Sequence, residues 1–322
     1  MATPRRALLP LALACAALVL LLACGGKGDG NSDVPVPGQG TAVPAQGSAA
    51  TLDVAAWNVD WFGDTEHGPT DEGRQLQNVR DVIAGTDCDL WGLEEVVDAS
   101  AFQTLLKGLP GYAGLLASDA AVTYGSAYYT GDEQKVALVY KTGLATLQSA
   151  RLILVDHNSD FAGRPPLEAC FQITQGGSTH TVYVICFHAK AYSDAQSYQR
   201  RLNASAALKQ YLDTVRANDK VFILGDYNDD LDASITSGQP SPYQNFVADT
   251  ANYLTPTKAL SDAGIATMVT HSGAVDHQIA TSELAGAYVA GSAKAFRADQ
   301  YLSDYATSTT DHLPVMTRWT LP

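Results

Sequence analysis

The sequence predicts an α/β fold in which mixed β-sheets are covered by helices. Three observations predict it: β-prone apolar segments outnumber helical ones, helical segments separate some of them, and other strands follow each other closely enough to pair as hairpins. Once a non-globular start is set aside, roughly 270 of the 322 residues remain, with no second linker and no internal repeat. That length suits one large domain over 51–322.

Taken in chain order, Arg5 and Arg6 precede an apolar run from Ala7 to Ala23, ALLPLALACAALVLLLA. A basic start followed by such a run has the form of a secretory signal. A transmembrane helix is the competing reading, but the run is at the short limit for a span and contains Pro10. It closes on Leu21-Leu22-Ala23-Cys24, which resembles the site where bacterial lipoprotein signals are cut before a lipidated cysteine. The expectation is a signal peptide over 1–23, a lipid on Cys24, and an exported protein anchored to a bacterial envelope membrane, at the outer membrane or cell surface. Residues 24–50 are rich in Gly, Pro and Ser and hold no aromatic residue. They read as a flexible tether.

Thr51 to Val59 (TLDVAAWNV) is apolar and β-prone, and Arg74 to Ala84 has helical spacing. Asp89 to Val97 (DLWGLEEVV) reads as a strand with a polar end, and Ala101 to Leu109 as a short helix. Lys135 to Lys141, Leu167 to Thr174 and Thr181 to Phe187 read as strands. Ser193 to Arg216 is the longest expected helix, with Leu202, Ala206, Leu208, Leu212 and Val215 as its apolar face. Val221 to Leu224, Ala274 to Ala280 and Val315 to Leu321 complete the expected strands.

Without residues 1–23, which carry two Arg and no acid, the chain has 18 basic and 34 acidic side chains, a net charge of −16. Such a chain does not coat polyanions non-specifically; a nucleic-acid substrate would need local contacts and a cation. Cys88, Cys170 and Cys186 remain beyond Cys24, without a zinc-type spacing. Cys170 and Cys186 flank an expected hairpin, so a disulfide and two buried thiols are both open readings.

Polar residues recur where strands end. The first ends at Asn58 and the next at Glu95; Thr181 to Phe187 leads to His188. VFILGDYNDD, Val221 to Asp230, runs from four apolar residues into Asp226 and Asn228. Asp276 lies in a late strand, and Asp311-His312 stands before the last one. Each alone also reads as a turn former, an exposed acid or a structural histidine. Six such ends point to one site grafted on a sheet rim. Asn58, Glu95 and Asp311 are oxygen ligands suited to Mg²⁺, with Mn²⁺ as a possible substitute. Asp226 fits the role of orienting water or taking its proton, Asn228 fits contact with phosphate, and Asp276 pairs with His312 to fix its tautomer and favour its charged form. The chemistry is phosphate-ester hydrolysis.

VAAWNVDWFG, LEEVVD, FHAK followed by Arg200-Arg201, GDYND, AVDHQIAT and TDHLPV occur in this order. This succession resembles the endonuclease/exonuclease/phosphatase superfamily of deoxyribonuclease I-like enzymes, over essentially all of 51–322. The resemblance implies a four-layer sandwich: two mixed β-sheets packed face to face and flanked by helices. It implies metal-site roles for Asn58, Glu95 and Asp311, phosphate contact for His188, and catalytic places for Asp226, Asn228, Asp276 and His312. Arg164, in FAGRPPLEACF, resembles an arginine that contacts phosphate; a plain loop arginine is the alternative. Thr310 stands where Ser is commoner, and Glu94 where Gln is usual, adding charge near the metal. Asp60 and Val97 replace two arginines that deoxyribonucleases use on duplex DNA. The expected activity is a monomeric, Mg²⁺-dependent extracytoplasmic nuclease on nucleic acid or another phosphodiester. A phosphatase, a sphingomyelinase-like lipid phosphodiesterase, and a catalytically inactive surface binding module are the alternatives.

Overall fold

A computed structural model describes residues 43–322. The expected signal peptide, Cys24 and most of the expected tether lie outside the described residues. Among the described residues no helix is long and apolar enough to cross a membrane.

The strands are β1 (Leu52–Phe62), β2 (Leu90–Val96), β3 (Tyr112–Leu116), β4 (Val122–Thr123), β5 (Lys135–Lys141), β6 (Ala145–Leu152), β7 (Leu167–Gln175), β8 (Ser178–His188), β9 (Val221–Asp226), β10 (Tyr253–Leu254), β11 (Asp276–Thr281), β12 (Lys294–Ala295) and β13 (Val315–Trp319). The helices used below are α1 (Glu72–Thr86), α2 (Ala99–Lys107), α3 (Gly125–Tyr128) and α4 (Ala195–Val215). The strands form a six-stranded sheet, β12-β13-β1-β2-β5-β3, and a seven-stranded sheet, β10-β11-β9-β8-β7-β6-β4. Both sheets are mixed, as the sequence predicts.

Strand periodicity builds the layers. Val54 and Ala56 of β1 face Val184, Phe222 and Leu224 of the other sheet, while Ala55 and Trp57 face Val79, Val82 and Ile83 of α1. On the far side, Ile185 and Ile223 meet Ala204, Leu208 and Leu212 of α4. A strand buried on both faces reads as a continuous apolar run, which is why β1 and β9 stand out in the sequence. The result is helix, sheet, sheet, helix. Gly225, at the end of β9, has φ +149, and a Cβ there would lie 1.9 Å from the Phe187 carbonyl oxygen. No other residue allows β8 and β9 to close at this point.

Three expectations change. The buried stripe of α4 is Ser197, Arg201, Ala204, Ser205, Ala207, Leu208 and Leu212; Leu202 and Val215 are exposed, as is Ala206. A buried arginine displaces the apolar face that simple periodicity selects. Cys170 lies opposite Tyr183 and Cys186 opposite Leu167, and both thiols are free, so the pair is out of register for a disulfide. The final part of the expected tether lies on the domain: Gln46 and Gly47 donate backbone N–H groups to the Thr86 carbonyl, and Val43 is buried. Strands β3 and β6 carry too weak an alternation to be read beforehand; β6 buries only Ala145, Ala150 and Leu152.

Candidate active site

The topology explains why distant polar residues meet. β1 and β2 are parallel and so are β8 and β9, while β11 runs antiparallel to β9 and β13 antiparallel to β1. The C-terminal ends of four strands and the N-terminal ends of two therefore share one rim. Register then sets neighbours: His188 lies opposite Asp226, and Asp226 opposite Asp276. All three belong to the row that faces the other sheet, continuing Cys186, Leu224 and Ala280.

Across the gap stands Asn58, on the inward face of β1. Its Nδ2 donates to Glu95 Oε1 at 2.9 Å and to Asp226 Oδ2 at 3.0 Å, joining the two sheets. Strict alternation would send Glu95 outward with Trp91 and Leu93. Glu95 instead has φ +63, and the register of β2 shifts against both neighbours at this point. This irregularity turns its carboxylate into the rim. Trp61 N–H and Gln134 Nε2 donate to Glu95 Oε2, at 3.2 and 2.5 Å.

His312 Nδ1 lies 3.0 and 2.9 Å from the two oxygens of Asp276, and its Nε2 lies 3.9 Å from Asp226 Oδ2 and 3.7 Å from Asp311 Oδ1. Burial alone would lower the His312 pKa; the charge and hydrogen bond of Asp276, with Asp226 and Asp311, hold it well above the usual value. His188 is the opposite case. Its burial and the charges of Arg164, His312 and Lys190 hold it well below the usual value, which favours the neutral ring. His188 Nε2 is 3.5 Å from Asp226 Oδ2, and its buried Nδ1 has no partner. The Asp226 carboxyl is pushed up to about 7 by burial, with Asp276 adding and His312 opposing.

Asn228 has φ +49; its backbone N–H donates to Asp226 Oδ1 at 2.8 Å and its Nδ2 to the Ala189 carbonyl at 3.2 Å. Arg164 donates to the same carbonyl at 3.0 Å and to Gln134 Oε1. Asp311 is partly exposed and accepts from Thr270 Oγ1 at 2.7 Å. The structure thus brings Asn58, Arg164, Glu95, His188, Asp226, Asn228, Asp276, Asp311 and His312 to one rim.

Sequence reasoning missed three contributors. Gln134 bridges Glu95 and Arg164, but a lone Gln before a strand gives no signal. Asp60, read only as a replaced arginine, is pushed up to about 6 by burial, Glu95 and Asp311, so it belongs to the acid cluster. Thr310, read only as a departure from the commoner Ser, ties the site together: its hydroxyl donates to the Asn58 carbonyl and accepts from His312 N–H. Glu94 requires a correction. It points between the sheets, where its Oε1 accepts from the Cys186 thiol at 3.2 Å. Burial first, then Asp276 and Asp226, hold its carboxyl well above the usual range, which favours the uncharged acid rather than extra charge at the site.

Two groups of donors could bear on a cation. Asp226, Asp276 and His312 offer atoms within 4.8 Å of one another. However, His312 Nδ1 is already engaged by Asp276, which makes this a hydrogen-bonded pair beside a carboxylate. Asn58, Glu95 and Asp311, with Asp60 close by, offer amide and carboxylate oxygens, the donor set of a hard divalent ion. Burial is the first cause of the raised Asp60 pKa; the repulsion from Glu95 and Asp311 that adds to it is what such an ion would relieve.

No curated protein sequence matches the chain significantly. Solved structures share the fold. An endonuclease/exonuclease/phosphatase from Bacteroides vulgatus is 14% identical, with TM-score 0.60, covering 84% of this chain and 99% of that one. D. rerio TDP2 complexed with single-strand DNA product is 13% identical, with TM-score 0.57 and coverage of 84% and 100%. A mannosyl-6-phosphatase from Bacteroides thetaiotaomicron is 14% identical, with TM-score 0.51 and coverage of 84% and 100%. The family model described as Endonuclease/Exonuclease/phosphatase family matches residues 55–304. With that match spanning most of the sequence and the two-sheet sandwich beneath it, the chain belongs to the endonuclease/exonuclease/phosphatase family.

Proposed function

We propose that the protein is a divalent-cation-dependent phosphodiesterase, a nuclease acting outside the cytoplasm, with Mg²⁺ as the cation and Mn²⁺ able to replace it. The observation that carries this reading is the meeting of Asp226, the Asp276–His312 pair and the Asn58–Glu95 amide–acid pair at one rim. A cation held by Asn58, Glu95 and Asp311 would neutralise charge on the phosphoryl and departing oxygens. Asp226 holds the attacking water and takes its proton; a carboxyl near 7 is matched to base work at neutral pH. Asn58 Nδ2 and the Asn228 N–H fix its two oxygens. His312, held charged by Asp276, donates from Nε2 to a phosphoryl oxygen. Neutral His188 offers a ring N–H without further charge, and Asn228 offers the amide hydrogen that Ala189 does not use.

A nucleic-acid substrate is supported by Arg164, Lys190 and Arg200, which influence one another beside the site of an otherwise acidic chain. The solved TDP2 complex with single-strand DNA product gives the same fold a nucleic-acid precedent. A lipid substrate is less well supported. In the 286–311 segment Phe296 and Tyr305 are buried, Tyr288 packs on Trp319 and Tyr301 stacks on Phe296, so no apolar hairpin projects. The expected result is cleavage of plasmid and dinucleotide diesters that stops with EDTA and returns with Mg²⁺ or Mn²⁺. Absence of turnover on every diester, with no calorimetric binding of either ion, would return the protein to a binding module.

Extracytoplasmic anchoring rests on residues 1–24. Cells fed labelled palmitate are expected to label the wild-type chain and not Cys24→Ala. Equal labelling of both excludes that anchor.

A further inference from the structure

We propose that Tyr192 is a stacking platform for an unpaired nucleobase beside the scissile phosphate, which makes single-stranded nucleic acid the substrate. This rests on the phosphodiesterase reading and narrows it.

The loop that leaves β8 after His188 is built around this ring. Ala189 is already in the site, because its carbonyl accepts from Arg164 and Asn228. Tyr192 follows three residues later, at most about 11 Å along the chain, within reach of a nucleotide neighbouring the reacting phosphate. The Tyr192 side chain is 72% exposed, yet its backbone has φ +79, a conformation that L side chains rarely adopt. Something must hold it there. Arg201, fully buried and paired with Asp229 at 2.7 Å, donates to the carbonyls of Lys190 at 2.8 Å and Tyr192 at 2.7 Å. A buried ion pair thus fixes an exposed aromatic residue in a strained backbone, a combination found at preorganised binding elements.

The local chemistry narrows the ligand. Lys190 Nζ sits 4.2 Å from the Tyr192 ring centroid and occupies one face. With the residue 72% exposed, the ring is open to a planar partner. Arg200, Arg164 and Arg201 act electrostatically on Lys190, opposed only by Asp194, so cations predominate around this loop in a chain of net charge −14. A ligand that offers both a flat π-face and negative charge is a nucleotide. Its base must be unpaired, because a duplex covers both faces of each base by stacking.

The test compares full-length wild type, Tyr192→Phe, Tyr192→Ala and, as a control, Tyr124→Ala. Tyr124 is also exposed with a positive φ, but it adjoins β4 at the far edge of the seven-stranded sheet. Substrates are a dithymidine diester and the same diester with abasic sugars. Binding is read by fluorescence of a single-stranded oligonucleotide carrying 2-aminopurine, in EDTA. Tyr192→Ala is expected to raise KM for the dithymidine diester by about ten- to a hundredfold with kcat little changed, and to lose the 2-aminopurine quenching seen in wild type. Tyr192→Phe and Tyr124→Ala should match wild type, and the abasic diester should not distinguish any of them. Equal losses on both diesters would assign Tyr192 a structural role, and no loss on either would remove the platform; each overturns the proposal. If wild type turns over no diester, the phosphodiesterase reading falls. The 2-aminopurine titration then decides Tyr192 alone: quenching lost in Tyr192→Ala upholds the platform, and absence of quenching in wild type overturns it.

Discussion

Replacing His312 with alanine is expected to lower kcat by about 10³- to 10⁴-fold while leaving the fold intact. The fold should survive at reduced stability: Asp276 loses its buried partner, but the His312 carbonyl can still accept from Trp57 Nε1 at 3.1 Å and from the Tyr305 hydroxyl at 2.6 Å. Alanine keeps both. What it removes is the imidazolium that Asp276 sustains. Asp276→Asn separates charge from presence, since the ring remains but its carboxylate partner does not. His312 has a folded pKa raised well above 6.5, so its stabilising contribution is complete below that ordinary value and is lost as pH rises through the folded pKa. In Asp276→Asn the largest raising influence is gone, and only Asp226 and Asp311 remain to oppose burial. The alkaline limb of the pH–rate profile should move toward acid, and the stability contribution at neutral pH should fall. Imidazole NMR of the chelated protein reads the pKa directly. A wild-type alkaline limb in Asp276→Asn, with normal turnover, would show that His312 does not act in its charged form.

The candidate rim was legible because its residues violate the pattern around them. His188 and Asp226 each terminate a strand that is largely apolar and buried, and Asn58 interrupts one, places where a polar group has few structural explanations. The GDYN turn in particular is more than a turn: Gly225 lets two strands approach, Asp226 continues the inward row, and Asn228 takes a positive φ so that its N–H meets Asp226. Glu95 was legible only as a residue type. Its orientation depends on a backbone irregularity that alternation cannot foresee. Gln134 was illegible because its importance comes from being between two other side chains, Glu95 and Arg164, which are far from each other in sequence. Proximity of that kind is a property of topology. The same holds for the mistaken face of α4, where periodicity favoured Leu202 and Val215 over a stripe containing Arg201.

That arginine should produce the largest stability effect in the molecule. Arg201→Met is expected to cost about 3–5 kcal/mol, because it leaves Asp229 buried without its cation. For a domain of this size the loss corresponds to a Tm lower by roughly 6–20 °C. The methionine fills much of the same volume, so packing alone does not account for such a change. Asp229 keeps only neutral donors, the Ser234 hydroxyl and the Ile235 N–H at 2.8 Å and the Asp230 N–H at 3.0 Å. Adding Asp229→Asn to Arg201→Met should therefore recover part of the loss, since the stranded charge disappears; urea denaturation of the two single variants and the double measures this coupling. Recovery of stability need not restore function. The carbonyls of Lys190 and Tyr192 would still lack the guanidinium that fixes them, so the double variant should fold with a loosened loop beside His188 and an elevated KM. A single variant within about 1 kcal/mol of wild type would mean that the buried pair neither supports the fold nor explains how the strained loop is held.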